Sequence, residues 1–140
     1  MPVYLGFDVG TKTIGLAVSD GLGMTASPLT TIRRSKWAKD GEAIAAVIQE
    51  YRIEGCVVGL PVNMDGTEGV RCQSTRAFAH NLGKLCALPV HFWDERMSSA
   101  AVERTMLAAD LSRAKRAEHV DKLAAAYILQ GFLDAHRMRY

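Results

Sequence analysis

The chain has 140 residues, 49% of them hydrophobic and 23% charged, with a formal net charge of +2. This size predicts a single domain over residues 1–140, and the composition is typical of a soluble globular protein. No apolar run is long enough to span a bilayer and the N-terminus lacks a signal-peptide pattern, so we expect a cytoplasmic protein without membrane contact. Three cysteines without CxxC spacing and four scattered histidines argue against disulfides and a zinc site.

The predicted elements follow the order β-β-β-α-β-α-β-α-α. Two apolar runs joined by a glycine-containing turn indicate a hairpin, with a third strand after it: residues 3–8, 13–19 and within 25–33. Helical spacing and short apolar runs predict the rest: a helix over 37–52 that stops at Gly55, a strand over 56–60 buried on both faces, a helix over 69–86, a strand over 89–93, and helices over 98–108 and 118–136.

This order predicts an α/β fold with a mixed five-stranded sheet. A β-hairpin meander comes first, βα units follow, and the helices flank the sheet. Ligands of such sheets bind beyond the carboxyl ends of the parallel strands, so a functional site is expected there.

Acidic residues fall at three places that such a fold brings together. Asp8 ends the first strand, Asp94 and Glu95 end the last one, and Asp121 lies in the first turn of the final helix. Three converging carboxylates repel one another unless a cation neutralises them, and oxygen ligands suit Mg²⁺ or Mn²⁺. The set predicts a metal site that activates water for phosphodiester hydrolysis. Taken singly, each acid also fits a turn, a solvated strand end or a helix N-terminus.

Four segments resemble the signature segments of the YqgF family, ribonuclease-H-like proteins related to bacterial Holliday junction resolvases. They are FDVGTKTIGLAVSD, GLPVNMDGTEG, DERMSS and DKLAAAYIL, and the resemblance spans residues 4 to about 132. It implies a ribonuclease-H-like fold and a two-metal-type nuclease in 5′-end maturation of the 16S ribosomal RNA precursor. It also implies Asp8, Glu95 and Asp121 as catalytic metal ligands. Asp94 remains an alternative to Glu95, because the two lie on opposite faces of the strand and the sequence does not say which one faces Asp8. Related resolvases have a fourth acid at the position of Glu118, which the YqgF pattern does not require and which also fits a solvated helix start.

The turn after Asp8 and the loop after the fourth strand hold candidates for nucleic-acid contact. Lys12 either meets a phosphate or is a solvent-exposed turn residue. Asn63, Asp65 and Gly66 suit backbone contact with a nucleic-acid strand, or form a tight turn in which Thr67 caps the next helix.

Basic residues of the C-terminal half supply the other candidates. Residues 71–140 hold 11 Lys/Arg against 7 Asp/Glu, which is compatible with a phosphate-rich partner. Arg96 either clamps a phosphate bidentately or forms an ion pair with Asp94. Arg113, Lys115 and Arg116 are expected in a basic loop that orders on substrate or is a solvated linker.

These observations favour a metal-dependent nuclease for structured RNA, as a monomer or weak homodimer. A Holliday junction resolvase acting on branched DNA through the same site is one alternative, although its two symmetric cuts require a dimer. A non-catalytic module that binds RNA or a transcription or ribosome-maturation partner is the other.

Overall fold

The fold is a mixed five-stranded sheet with helices on both faces. The structure, a computed structural model, describes residues 2–97 and 113–137, with side chains described in 2–97 and 122–136. The strands are β1 (Tyr4–Val9), β2 (Thr13–Ser19), β3 (Ala26–Arg33), β4 (Gly55–Leu60) and β5 (Val90–Asp94). The helices are α1 (Trp37–Glu50), α2 (Val70–Cys86) and α3 (Arg113–Arg137), and a 3₁₀ turn, Glu95–Met97, follows β5.

The strand order is β3-β2-β1-β4-β5. The hairpin strands pair antiparallel, whereas β1, β4 and β5 are parallel to one another. The predicted fold class is therefore confirmed. All six residues of β4 are buried, as expected for a central strand covered on both faces. No helix in the described part of the chain combines the length and apolarity needed to cross a membrane.

Alternate residues of β1 build two separate cores, because successive side chains of a strand point to opposite faces. One set packs under α1 and α2, and its members are Leu5, Phe7 and Val9. On the other face Gly6 lies against α3, where an added Cβ would come within 2.8 Å of the Leu129 Cβ. Asp8 shares the face of Gly6 and is therefore directed to the α3 side of the sheet.

Helix α3 runs antiparallel to β1. Tyr4 packs edge-on against Phe132, with ring centroids 5.2 Å apart. Two residues further along β1, Gly6 lies beside Ala125 and Leu129. Earlier residues of α3 therefore approach the end of β1 that carries Asp8.

The predicted helix stop at Gly55 is wrong. Helix α1 ends at Glu50, and Arg52 takes the left-handed conformation with φ of 53°. Gly55 is instead the first residue of β4, where a Cβ would lie 2.7 Å from the ring of Tyr4. Glycine is required there for close packing on a side chain from the neighbouring strand.

The predicted loop before the last helix is also wrong. Helix α3 begins at Arg113, so the backbone of Arg113, Lys115 and Arg116 is helical. The segment RAKRAE consists of strong helix formers without Gly or Pro, which explains the early start. The helix predicted over residues 98–108 lies outside the described residues.

Candidate active site

Asp8 and Glu95 come together at the carboxyl end of the parallel strands, on the α3 face. Phe7 pairs with Val58, so Asp8 and Gly59 are the next residues along these two strands. A Cβ on Gly59 would meet Ile128 of α3 first and would lie 3.3 Å from the Glu95 Cγ, so the Glu95 side chain reaches the α3 face of Gly59, next to Asp8. Asp8 is only 4% exposed to solvent, and Glu95 only 8%. The structure therefore selects Glu95, rather than Asp94, as the acid that shares a face with Asp8.

The donor chemistry of this pair fits a divalent metal. Two carboxylates buried side by side are costly unless positive charge offsets them. Their oxygen atoms are the ligands that Mg²⁺ and Mn²⁺ prefer. Gly59 has no side chain on this face, so Ile128 and the Cγ of Glu95 both lie over its backbone. Among the described side chains, no group of three or more His, Cys, Asp or Glu is placed to hold a metal ion.

The third predicted ligand, Asp121, belongs to α3, but its side chain lies outside the described residues. The backbone carbonyl of Ala125 would be 3.2 Å from a Cβ on Gly6. Asp121 precedes Ala125 by four residues, about 6 Å along the helix axis, in the direction of Asp8. The α3 backbone thus brings this turn of the helix towards the carboxylate pair. The side chain of Glu118 also lies outside the described residues.

Asp94 is engaged by Arg96 rather than by the carboxylate pair. The Arg96 Nη2 donates to Asp94 Oδ2 at 2.7 Å, and Nε contacts both carboxylate oxygens. The backbone N–H of Arg96 also donates to Asp94, at 2.9 Å. The structural ion pair considered for Arg96 is therefore present. The hydrogen bonds from Arg96 lower the pKa of Asp94.

Replacing Asp94 by asparagine is expected to lower the free energy of unfolding at neutral pH by about 1 kcal/mol. The pKa of Asp94 is depressed in the folded state, so its contribution is present above the unfolded pKa of about 3.9 and disappears as pH falls through the folded pKa. Urea unfolding of both proteins from pH 7 to pH 3 measures this. The gap between wild type and Asp94→Asn should narrow below about pH 4. A gap that stays constant to pH 3 contradicts the assignment.

The loop after β4 is a tight turn that holds itself together. The Thr67 N–H and hydroxyl both donate to Asp65 Oδ1, at 3.0 and 2.6 Å. Asn63 bonds Thr67 through backbone and side chain, and Gly66 has φ of 90°, a conformation that favours glycine. The prediction that Thr67 caps α2 is wrong, because the N-cap residue is Gly69. The Thr67 hydroxyl is instead committed to the loop.

Two arginines beside the end of β1 were missed by sequence reasoning. Arg34 Nη1 donates to the carbonyl of Gly10 at 2.8 Å, and Arg71 Nη2 donates to that of Val9 at 3.4 Å. Arg34 directly follows β3, and Arg71 lies in the first turn of α2. The one sequence feature that could have placed Arg34 beside this turn is the expected pairing of β3 with the hairpin. Lys12, in the same turn, is exposed.

Comparison with known proteins gives a family for the chain. The family model described as RuvX, Holliday junction resolvase, matches residues 2–135. A Paracoccus denitrificans protein named "Putative pre-16S rRNA nuclease" is 58% identical over 135 residues, covering 96% of this chain and 84% of that protein. A Rhodobacter capsulatus protein of the same name is 61% identical over 129 residues, covering 92% and 81%.

Solved structures show the same fold at low sequence identity. T. thermophilus RuvC in complex with a Holliday junction substrate has a TM-score of 0.60 and 16% identity, covering 99% of this chain and 97% of that one. Fowlpox virus resolvase with Holliday junction DNA has a TM-score of 0.54 and 10% identity, covering 96% and 98%. The expected ribonuclease-H-like fold is confirmed. The chain belongs to the RuvX family, and the resemblance of its motifs to YqgF proteins is confirmed.

Proposed function

We propose that this chain is a metal-dependent nuclease that acts on structured RNA in 5′-end maturation of the 16S ribosomal RNA precursor, as one domain over residues 1–140. The observation that carries this proposal is the buried pair of Asp8 and Glu95 at the carboxyl end of the parallel strands. The names of the relatives from Paracoccus and Rhodobacter support the RNA substrate.

In the proposed site Asp8, Glu95 and Asp121 would hold Mg²⁺ or Mn²⁺, with Glu118 as a further candidate ligand; Asp94 is set aside because Arg96 holds it. When bound, the metal supplies positive charge that activates the attacking water and stabilises the leaving oxygen. Asp8 and Glu95 contribute fixed geometry, since burial restricts their side chains and lowers the local dielectric. In-line attack at phosphorus leaves a 5′-phosphate and a 3′-hydroxyl.

Nucleic-acid contacts are proposed around this pair. Lys12 lies in the turn directly after Asp8, and the Asn63, Asp65 and Gly66 loop follows β4. Arg96 reaches this loop, since its Nη1 donates to the carbonyl of Met64 at 3.4 Å. The basic residues at the start of α3 complete the proposed set: Arg113, Lys115 and Arg116.

Cleavage of a labelled precursor rRNA leader is expected with Mn²⁺ or Mg²⁺ and is expected to stop when EDTA removes the metal. A four-way DNA junction that carries the same label is assayed in parallel. The reaction is followed by gel electrophoresis, and the new 5′ ends are tested for a phosphate. Cleavage that persists in EDTA contradicts the metal-dependent mechanism.

A Holliday junction resolvase is the second candidate, favoured by the description of the family model. It uses the same carboxylates but needs two copies of the chain to cut both strands symmetrically. Junction cleavage without RNA cleavage, together with a dimer in sedimentation, supports this candidate over the first.

A further inference from the structure

A small cationic cavity lies beside the end of β1. Its volume is about 90 Å³, and its lining includes Arg34, Arg71, Thr11 and Ser74. On this measure a cavity of about 10–15 Å³ holds one water, so the space here is large enough for a bigger group such as a phosphate.

The two guanidinium groups are anchored but keep donors for a ligand. Arg34 bonds the carbonyl of Gly10, and Arg71 bonds that of Val9. Each guanidinium has five N–H donors, so these bonds leave others for an anion. Among the described residues that line the cavity none is acidic. The ion pairs recorded within residues 2–97 involve other arginines, Arg76 with Glu68 and Arg96 with Asp94.

The surrounding groups add to the preference for negative charge. The first turn of α2 contributes Val70 and Arg71 to the lining, and its N-cap Gly69 makes no side-chain cap bond. The partial positive charge of a helix N-terminus favours an anion there. The hydroxyls of Thr11 and Ser74 are further donors, and both residues are exposed to solvent.

We propose that this Arg34–Arg71 cavity binds a phosphate group of the substrate strand. The inference rests on the proposed nuclease function and adds a strand-binding site to it. Val9 and Gly10 directly follow Asp8, so the cavity opens at the same strand end but on the α2 side. A nucleic-acid strand that crosses the end of β1 reaches both. One phosphate held by two arginines would fix the strand while a neighbouring phosphodiester lies at the carboxylates.

The test measures RNA binding in EDTA, where no cleavage is needed. Fluorescence anisotropy of a labelled precursor rRNA leader is recorded at several salt concentrations. Arg71→Gln and Arg34→Gln are each expected to weaken binding about tenfold, as for loss of a charge-assisted contact. The slope of log K against log salt should fall in magnitude by about 0.7 per lost phosphate contact on a single strand.

Arg76→Gln is the matched control. Arg76 is an exposed arginine on the same helix as Arg71, but Glu68 already neutralises it and it lines a different cavity. Arg71→Lys separates charge from structure: it should keep the wild-type salt slope, because the positive charge remains. If Arg71 only supports the structure by bonding the Val9 carbonyl, Arg71→Gln and Arg71→Lys should both bind RNA more weakly, with the slope of log K against log salt unchanged. That result would overturn the proposal. Urea unfolding of each variant verifies that it folds.

Calorimetric titration with inorganic phosphate distinguishes the source of the group. If Arg71→Gln abolishes the binding of inorganic phosphate but leaves the affinity for RNA unchanged, the cavity binds free phosphate, and the proposed strand contact is overturned. Weaker RNA binding with a smaller slope assigns it to the strand. Variants that match Arg76→Gln in both assays overturn the proposal, even if the wild type cleaves RNA. Arginine-dependent RNA binding without any cleavage supports the cavity and counts against the nuclease function.

Discussion

Replacing Asp8 by asparagine is expected to reduce metal-dependent cleavage of the precursor rRNA leader by at least about a hundredfold. Loss of a group that only supports a metal ligand typically costs 10- to 100-fold, so loss of a ligand itself should cost more. Asparagine matches the size of aspartate but lacks its charge, so the buried position next to Glu95 stays filled. RNA binding in EDTA and the unfolding free energy should remain close to those of wild type.

Glu50→Gln is the matched control for this change. Glu50 is an exposed carboxylate at the last residue of α1, on the other face of the sheet. Glu50→Gln removes one negative charge, as Asp8→Asn does, and this variant should cleave RNA at the wild-type rate. Initial rates across a Mn²⁺ titration compare the three proteins. Full activity of Asp8→Asn would refute the proposed metal site, in which Asp8 is a ligand.

Replacing Gly6 by alanine is expected to destabilise the protein by about 1–3 kcal/mol, the usual cost of overpacking a core. The new Cβ would lie 2.8 Å from the Leu129 Cβ and 3.2 Å from the Ala125 carbonyl oxygen. These atoms belong to the backbone of α3 or are attached directly to it, so the whole helix must move. Alanine also makes the unfolded chain less flexible, which offsets only roughly 0.4–1 kcal/mol of this destabilisation. Urea unfolding followed by circular dichroism measures the difference.

Gly21→Ala is the control for this prediction. Gly21 lies in the turn between β2 and β3, and an added Cβ there meets nothing within 4 Å. This variant should be as stable as wild type or slightly more stable. Equal stability of Gly6→Ala and Gly21→Ala would contradict the close approach of α3 to β1. Since α3 also carries Asp121, we expect Gly6→Ala to cleave RNA more slowly than Gly21→Ala.

The sequence by itself determined most of the elements and the strand that carries Asp8. The hairpin, β4 and α2 follow from local signals: apolar runs, glycine turns and helical spacing act within a few residues. The observed bounds of β2 and of β4 differ from the predicted ones by at most one residue. The four motifs also predicted the family and the ribonuclease-H-like fold.

The motif resemblance favoured Glu95 over Asp94, but only the tertiary structure gives the physical reason why Glu95 joins Asp8. Asp94 and Glu95 are adjacent in the chain, but only the side chain of Glu95 lies on the face of the sheet that α3 covers. Gly59, from another strand, has no side chain there, so Glu95 and Ile128 both pack over it. Asp94 is instead held by Arg96. The role of Gly55 likewise depends on Tyr4, which is 51 positions away in the chain.

The cationic cavity depended on tertiary structure even more strongly. Arg34 and Arg71 lie 37 positions apart in the sequence, and neither belongs to one of the four motifs. They meet because β3 pairs beside the hairpin and α2 packs across the end of β1. Local patterns report which backbone a segment prefers, whereas the neighbours of a side chain depend on how distant segments pack. The strand that carries Asp8 could therefore be predicted from the sequence, whereas the two arginines beside its end could not.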